Sequence, residues 1–193
     1  MRKIYLASKS PRRREILDTM GMDYEVVEGD CPEKVNPWER PDQVVMSIAL
    51  QKGLSAAEKF NKGELIISAD TVVVSEGKIL GKPKDAEDAR AMLRSLSGKT
   101  HQVMTGFSII EAGQHMKMVD YVVTEVTFKD YDDQVVNWYI ESGEPFDKAG
   151  AYGIQGKGAL LVENIRGDYL NVVGFPISRI VDTLERYFDY SFA

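Results

Sequence analysis

A chain of 193 residues with 24 Lys and Arg against 30 Asp and Glu carries a net charge of −6, which speaks against the broad basic footprint of a nucleic-acid binder. Its single cysteine, Cys31, excludes an internal disulfide framework and fits a reducing compartment. No apolar run approaches the roughly 20 residues of a membrane span, and Met1-Arg2-Lys3-Ile4 leads into a strand without an apolar leader, so a cytosolic location is expected.

Lys3-Ile4-Tyr5-Leu6 reads as a strand. Ala7-Ser8-Lys9-Ser10-Pro11-Arg12-Arg13-Arg14 follows and opens a helical pattern with Ile16, Leu17 and Met20 on one face. Strand, small-residue loop and helix in that order make an anion site, because the first helical turn leaves backbone N–H groups free at the positive end of the dipole. Ser8 and Ser10 add hydroxyl donors, Pro11 suits the first helical position, and Arg12 and Arg13 offer forked donors that match phosphate. The alternative is a capped helix with a solvated basic turn.

Tyr24 to Val27 reads as a second strand, and Gly29 to Trp38 as a loop with Pro32 and Pro37. Glu33 in that loop is a candidate metal ligand or a solvated acid. Pro41 opens a helix to about Phe60 with Val45, Ile48, Ala49 and Ala56 on its apolar stripe. Lys52 falls on the same stripe. It either snorkels over apolar surface or projects toward an anion.

Leu65 to Val74 is a nearly continuous apolar and β-branched run, as expected of a strand covered on both faces. Asp70 interrupts it. A carboxylate there is either a turn cap or a site residue, a base or metal ligand, because an interior charge needs a partner. Ser75 to Lys78 reads as a hairpin turn, and Gly81-Lys82-Pro83 as a constrained loop that aims Lys82. Asp85 caps a helix to Leu96, with Ala89, Met92, Leu93 and Leu96 inward and Asp88 completing an imperfect capping box.

Gln102 to Ile110 and Lys117 to Lys129 read as two long paired strands, with His101 and His115 structural or solvated at the ends. Asp132 to Glu141 reads as a short helix. The segment from Glu144 to Gly158 is rich in glycine. Lys148 adds a cation, Phe146 and Tyr152 offer rings for a flat base, and Gln155 offers donor and acceptor for an amide-imide edge. Ala159 to Val162 reads as a strand, Arg166 to Tyr169 as a turn, and Pro176 as the start of a last helix with Ile177, Ile180, Val181, Leu184 and Phe188 inward. This alternation argues an α/β class. Small basic islands, isolated acids and a base-sized glycine-rich segment fit a nucleoside triphosphate with a divalent cation.

Leu6-Ala7-Ser8-Lys9-Ser10-Pro11-Arg12-Arg13, Ser68-Ala69-Asp70-Thr71, Gly81-Lys82-Pro83 and Asp147 through Gly156 resemble, in register, the signature of the Maf family. These are nucleoside triphosphate pyrophosphatases, also described as septum formation inhibitors. The resemblance implies one domain over 1–193 and an α/β fold with an elongated, twisted mixed sheet. It implies two lobes around a nucleotide cleft, similar to inosine triphosphate pyrophosphatases. It implies hydrolysis of dTTP, UTP or modified pyrimidine nucleotides to monophosphate and pyrophosphate with Mg²⁺ or Mn²⁺, in a homodimer. Asp70 matches the proton acceptor and a metal ligand. Arg12, Thr71 and Gln155 match the positions that sort substrates. Glu33, Lys52, Lys82 and Lys148 match further polar positions of the cleft, although Pro32 stands where relatives carry a second acid. A non-catalytic nucleotide-binding regulator of cell division is the competing reading, and Asp70 separates the two, since a sensor needs no base.

Overall fold

Short apolar runs broken by turns build seven strands and six α-helices among the described residues. The structure is a computed structural model that describes residues 2–28, 32 and 34–192. Hydrogen bonding joins the strands into one mixed sheet in the order β2-β1-β3-β5-β6-β7, with β4 paired to β3. These strands are β1 (Ile4–Leu6), β2 (Tyr24–Val26), β3 (Leu65–Ser75), β4 (Lys78–Leu80), β5 (Thr100–Glu111), β6 (Lys117–Phe128) and β7 (Val162–Arg166). No helix among the described residues is long and apolar enough to cross a membrane.

The chain divides into two compact units, Met1–Asp70, Thr105–Val122 and Gly174–Ala193 in the first, Thr71–Met104 and Val123–Val173 in the second. In the first, β1 runs parallel to both β2 and β3, with Leu6 opposite Val26 and Ile67. The helices are α1 (Pro11–Thr19), which buries Ile16 and Leu17, and α2 (Pro41–Ala57), which buries Val44, Val45, Ile48, Ala49 and Ala56. The last helix, Ile177–Tyr187, buries Ile180 and Leu184 and also Thr183. Helix α2 lies very close to the sheet. A Cβ on Gly106 of β5 would stand 2.5 Å from the Val45 carbonyl carbon and oxygen, so only glycine permits the approach. Ser68 Oγ donates to Ala49 O at 2.5 Å and lies 2.8 Å from Ser108 Oγ, tying the helix to β3 and β5.

The second unit packs Leu93, Leu96, Phe128, Tyr139, Tyr152 and Leu161 into one core. Full burial of each such side chain is worth roughly 1.5–3 kcal/mol. Helix α3 (Ala86–Leu96) is capped as expected: Asp85 accepts from Asp88 N–H at 2.8 Å. The reciprocal bond is displaced by one residue, since the Asp88 carboxylate takes Lys84 N–H at 2.9 Å. Helix α4 (Asp133–Glu141) is capped by Asp132, which accepts from both Gln134 and Val135 N–H.

Three expectations are corrected. Helix α2 stops at Ala57 rather than Phe60. Gly156–Leu161 is a 3-10 turn, so the strand expected from Ala159 begins at Val162. Ala159 and Leu160 are exposed, and a three-residue apolar run carries no period to separate strand from turn. A short helix α5, Tyr169–Val173, occupies the expected turn, and its Asn171 donates to Val103 O and Thr124 Oγ1, both at 3.0 Å. The helix Ile177–Tyr187 is α6.

Candidate active site

In the first unit the candidate residues converge where β1 ends. Ala7 N–H donates to Ile67 O at 2.7 Å, so the loop that follows starts alongside β3. Ser10 occupies the N-cap of α1 in extended backbone, but its side chain makes no capping bond. Its N–H turns back to Ser8 Oγ at 3.2 Å. Pro11 takes the first helical position and no acid lies in the first turn, so the positive end of the helix dipole has no carboxylate of its own there. Arg12 is half-buried, whereas Arg14 is exposed.

Arg13 is held inward. Its Nε donates to Gly174 O at 2.8 Å, and its Nη1 donates to Ala69 O at 2.8 Å and Ser8 Oγ at 3.1 Å. One guanidinium therefore joins the loop, the strand residue next to Asp70 and the chain just before α6. Burial pushes Arg13 down to about 10, with the Asp70 charge opposing the fall and Arg12 adding to it. It stays a cation at neutral pH.

The strand passes through Asp70 without a turn, which removes the turn-cap alternative. Lys52 Nζ donates to Asp70 Oδ1 at 2.7 Å, both side chains being largely buried. The stripe lysine does not snorkel into water; it meets a carboxylate. Glycine sets this geometry. A methyl on Gly53, beside Lys52, would strike Ser108 Oγ, so the helix can lie against β5 at that turn only without a side chain.

The second unit holds Thr71, Lys82, Lys148 and Gln155. Gly150 N–H donates to Gly81 O at 3.0 Å, which brings the Gly81-Lys82-Pro83 loop to the segment that carries Lys148. Pro83 is buried and Lys82 exposed. Lys148 Nζ donates to Glu144 O at 2.7 Å and to Asp147 Oδ1 at 2.6 Å. Gln155 is exposed in extended backbone between Ile154, which is buried, and Gly156 at φ 64°.

The ring roles need one correction. Phe146 is 41% exposed, but Tyr152 is 4% exposed and belongs to the core. Its ring packs on Phe128 at 4.6 Å and its hydroxyl lies 2.7 Å from His101 Nε2. An aromatic flanked by glycines reads as an open ring in sequence, yet here Tyr152 is taken up by His101 and Phe128 in the core. His101 is structural, as expected: it is buried, and burial pushes its imidazole down to about 4. Sequence reasoning passed over Tyr139 and Glu144 as polar partners of the glycine-rich segment. The signal was present in Glu144, an acid directly before Pro145 at the head of that segment.

Glu33 lies outside the described residues. Among the described residues no group of three or more His, Cys, Asp and Glu can hold a metal ion. Mg²⁺ does not need one, since it binds through one or two carboxylates and takes its remaining oxygens from water and substrate phosphates. Asp70, the one carboxylate among the described candidates, fits that donor set.

Comparison with known proteins identifies the fold and the family. Two solved structures share the fold: the Ham1 protein of Staphylococcus aureus, at TM-score 0.52 and 16% identity over 83% of this chain and 80% of that one, and a HAM1 protein from Coxiella burnetii, at TM-score 0.52 and 15% identity over 96% and 99%. A dTTP/UTP pyrophosphatase of Clostridioides difficile (strain 630) is 50% identical over 185 residues, covering 96% of this chain and 95% of its own length. One from Bacillus cereus (strain ATCC 14579) is 46% identical over 187 residues, covering 97% and 96%. The Maf-like protein family model matches residues 3–187, and the chain belongs to that family.

Proposed function

We propose that the chain is a nucleoside triphosphate pyrophosphatase that hydrolyses dTTP and UTP to the nucleoside monophosphate and pyrophosphate, with modified pyrimidine triphosphates as further candidate substrates. The observation that carries this reading is the largely buried Asp70–Lys52 pair, set in a chain about half identical, end to end, to relatives of that name. A non-catalytic nucleotide-binding regulator is not favoured, because relatives 46–50% identical over nearly the whole chain carry the name dTTP/UTP pyrophosphatase.

Water attacks the phosphoanhydride between the α- and β-phosphates, and Asp70 accepts its proton. Ser8, Ser10 and the head of α1 cradle phosphate oxygens. Arg12, Lys52, Lys82 and Lys148 neutralise the triphosphate, and pyrophosphate leaves with that charge compensated. Arg13 acts on the same cradle by fixing Ser8 against Ala69. Arg12, Thr71 and Gln155 sort the base. A divalent cation, Mg²⁺ or Mn²⁺, held by Asp70 and Glu33, would screen the phosphate oxygens and polarise the phosphorus. Residues 1–193 act as one domain, since β3, β5 and β6 each supply residues to both units.

Incubation with dTTP or UTP and Mn²⁺, followed by separation of products, tests the reading. Monophosphate with pyrophosphate is expected; diphosphate with orthophosphate, or no turnover, overturns it. Asp70→Asn is expected to lower kcat by at least roughly a thousandfold while nucleotide binding persists. Near-normal kcat in that variant removes Asp70 from its role.

A further inference from the structure

Gln155 is exposed, and its neighbours on both sides are held by one pair of side chains. Glu144 Oε1 accepts from Lys157 N–H at 3.1 Å, and Oε2 accepts from Gly158 N–H at 3.4 Å. The Tyr139 hydroxyl accepts from Gly153 N–H at 3.1 Å. Burial raises Tyr139 to about 12, and the Glu144 charge adds to the rise, so the hydroxyl stays neutral at physiological pH. The chain is thus pinned two residues before Gln155 and two and three residues after it.

The glycines fit this clasp. Gly156 has φ 64°, and a Cβ on it would meet the Glu144 carboxylate oxygens at 2.9 and 3.2 Å. A Cβ on Gly153 would meet the Lys148 side chain at 2.8 Å. Tyr139 comes from the last turn of α4, whose other polar end is capped by Asp132. One half of the clasp is therefore built on a helix, while Glu144 heads the 3-10 turn Glu144–Asp147 at the start of the glycine-rich segment. A carboxylate holding backbone N–H groups is stronger than a neutral acceptor. Without it, a segment whose residues 153, 156 and 158 are all glycine would sample many backbone states, and each lost state in the bound geometry weakens recognition.

We propose that Glu144 is a positioning residue for substrate selection: with Tyr139 it fixes the 153–158 backbone so that the Gln155 amide meets the imide edge of a uracil or thymine ring. This rests on the reading of Gln155 as a base-sorting residue. Glu144 touches no reacting atom, so its loss acts on binding and discrimination ahead of chemistry.

The test compares Glu144→Ala and Gln155→Ala in the intact protein by steady-state kinetics with dTTP and dCTP and by amide hydrogen exchange over 153–161. Glu144→Ala is expected to raise KM for dTTP about tenfold, with kcat within about threefold, and to lower the dTTP-over-dCTP preference about tenfold. Exchange at Lys157 and Gly158 is expected to quicken about tenfold or more. A Glu144→Ala protein with unchanged exchange and unchanged KM overturns the proposal. Faster exchange with Gln155→Ala keeping full selectivity leaves the clasp in place and removes Gln155 from base sorting. Lost selectivity in Gln155→Ala with none lost in Glu144→Ala overturns the positioning role. Should Glu144→Ala not fold, Glu144→Gln is read instead: it keeps one acceptor oxygen and loses the charge, so exchange is expected to quicken at one of Lys157 and Gly158 and the dTTP-over-dCTP preference to fall in the same direction by less, and no change in either overturns the proposal.

Discussion

At the scale of single residues, Arg13 shows how a basic cluster divides its labour. Arg12, Arg13 and Arg14 are equivalent in the sequence, three cations at the head of one helix. The structure separates them by what surrounds each. Arg14 faces solvent, Arg12 is half-buried, and Arg13 sends Nε and Nη1 to Gly174 O, Ala69 O and Ser8 Oγ. Replacing Arg13 by alanine removes the donor to two backbone carbonyls, and a charged donor lost from such a site costs about 2–4 kcal/mol. Denaturant midpoints are expected to fall accordingly, and Arg13→Lys should recover less than half of the loss, because an ammonium cannot reproduce the fork. Equal stability of wild type and Arg13→Ala would show that these bonds do not hold the loop. The long-range partners of Arg13 were not legible in the sequence: Gly174 is 161 positions away and has no side chain to mark it. Asp70 was legible, because a carboxylate inside a β-branched run announces itself chemically whatever the fold.

At the scale of elements, helix α2 was predicted from its apolar stripe, but its depth in the structure comes from residues outside it. Gly106 and Ser108 on β5 and Ser68 on β3 remove bulk and supply hydrogen bonds where the helix lands. Small residues within a strand give no periodic signal, so the close approach is invisible until β5 and α2 are known to touch. The approach carries Lys52 to Asp70. Gly106→Ala forces a Cβ to within 2.5 Å of Val45 backbone atoms, which cannot rotate away as a flexible side chain would. The helix must lift, at a cost of about 2–4 kcal/mol in stability, and kcat should drop as Lys52 moves. Gly21→Ala is the control. Gly21 has φ 65° but nothing within 4 Å, so alanine there should cost about 1–2 kcal/mol of backbone strain and leave kcat unchanged. Thermal unfolding and kinetics on both variants separate the effects; equal behaviour would deny that the α2 seat positions the lysine.

At the scale of the whole molecule, the alternation of strands and helices was legible because each element buries a face with its own period, and the parallel β2-β1-β3 set follows from helices intervening between its strands. Legibility failed for Ala159 to Leu161 and Tyr169 to Val173, which are too short to show a period, and for Tyr152, whose burial is decided by its partners. One of those partners makes global stability depend on pH. His101 is 2% exposed, packs edge-on against Phe128 and Tyr152, and burial lowers it from the usual 6.5 to about 4. Between these values the unfolded chain binds a proton at this site and the folded chain does not, so acidification favours unfolding. Stability from this residue is complete above pH 6.5 and drains away as the pH falls toward 4. The contribution lost between pH 7 and pH 5 is about 2 kcal/mol. Carboxylates add their own acid dependence, so the informative quantity is a difference between proteins. His101→Gln keeps a hydrogen-bonding partner for the Tyr152 hydroxyl but cannot titrate. Its stability at pH 7 should be somewhat below that of wild type, and its loss between pH 7 and pH 5, from urea unfolding at each pH, should be smaller by about 2 kcal/mol. Parallel losses in the two proteins would mean that His101 titrates normally in the folded state, and so that its ring is not sealed within the core of the second unit.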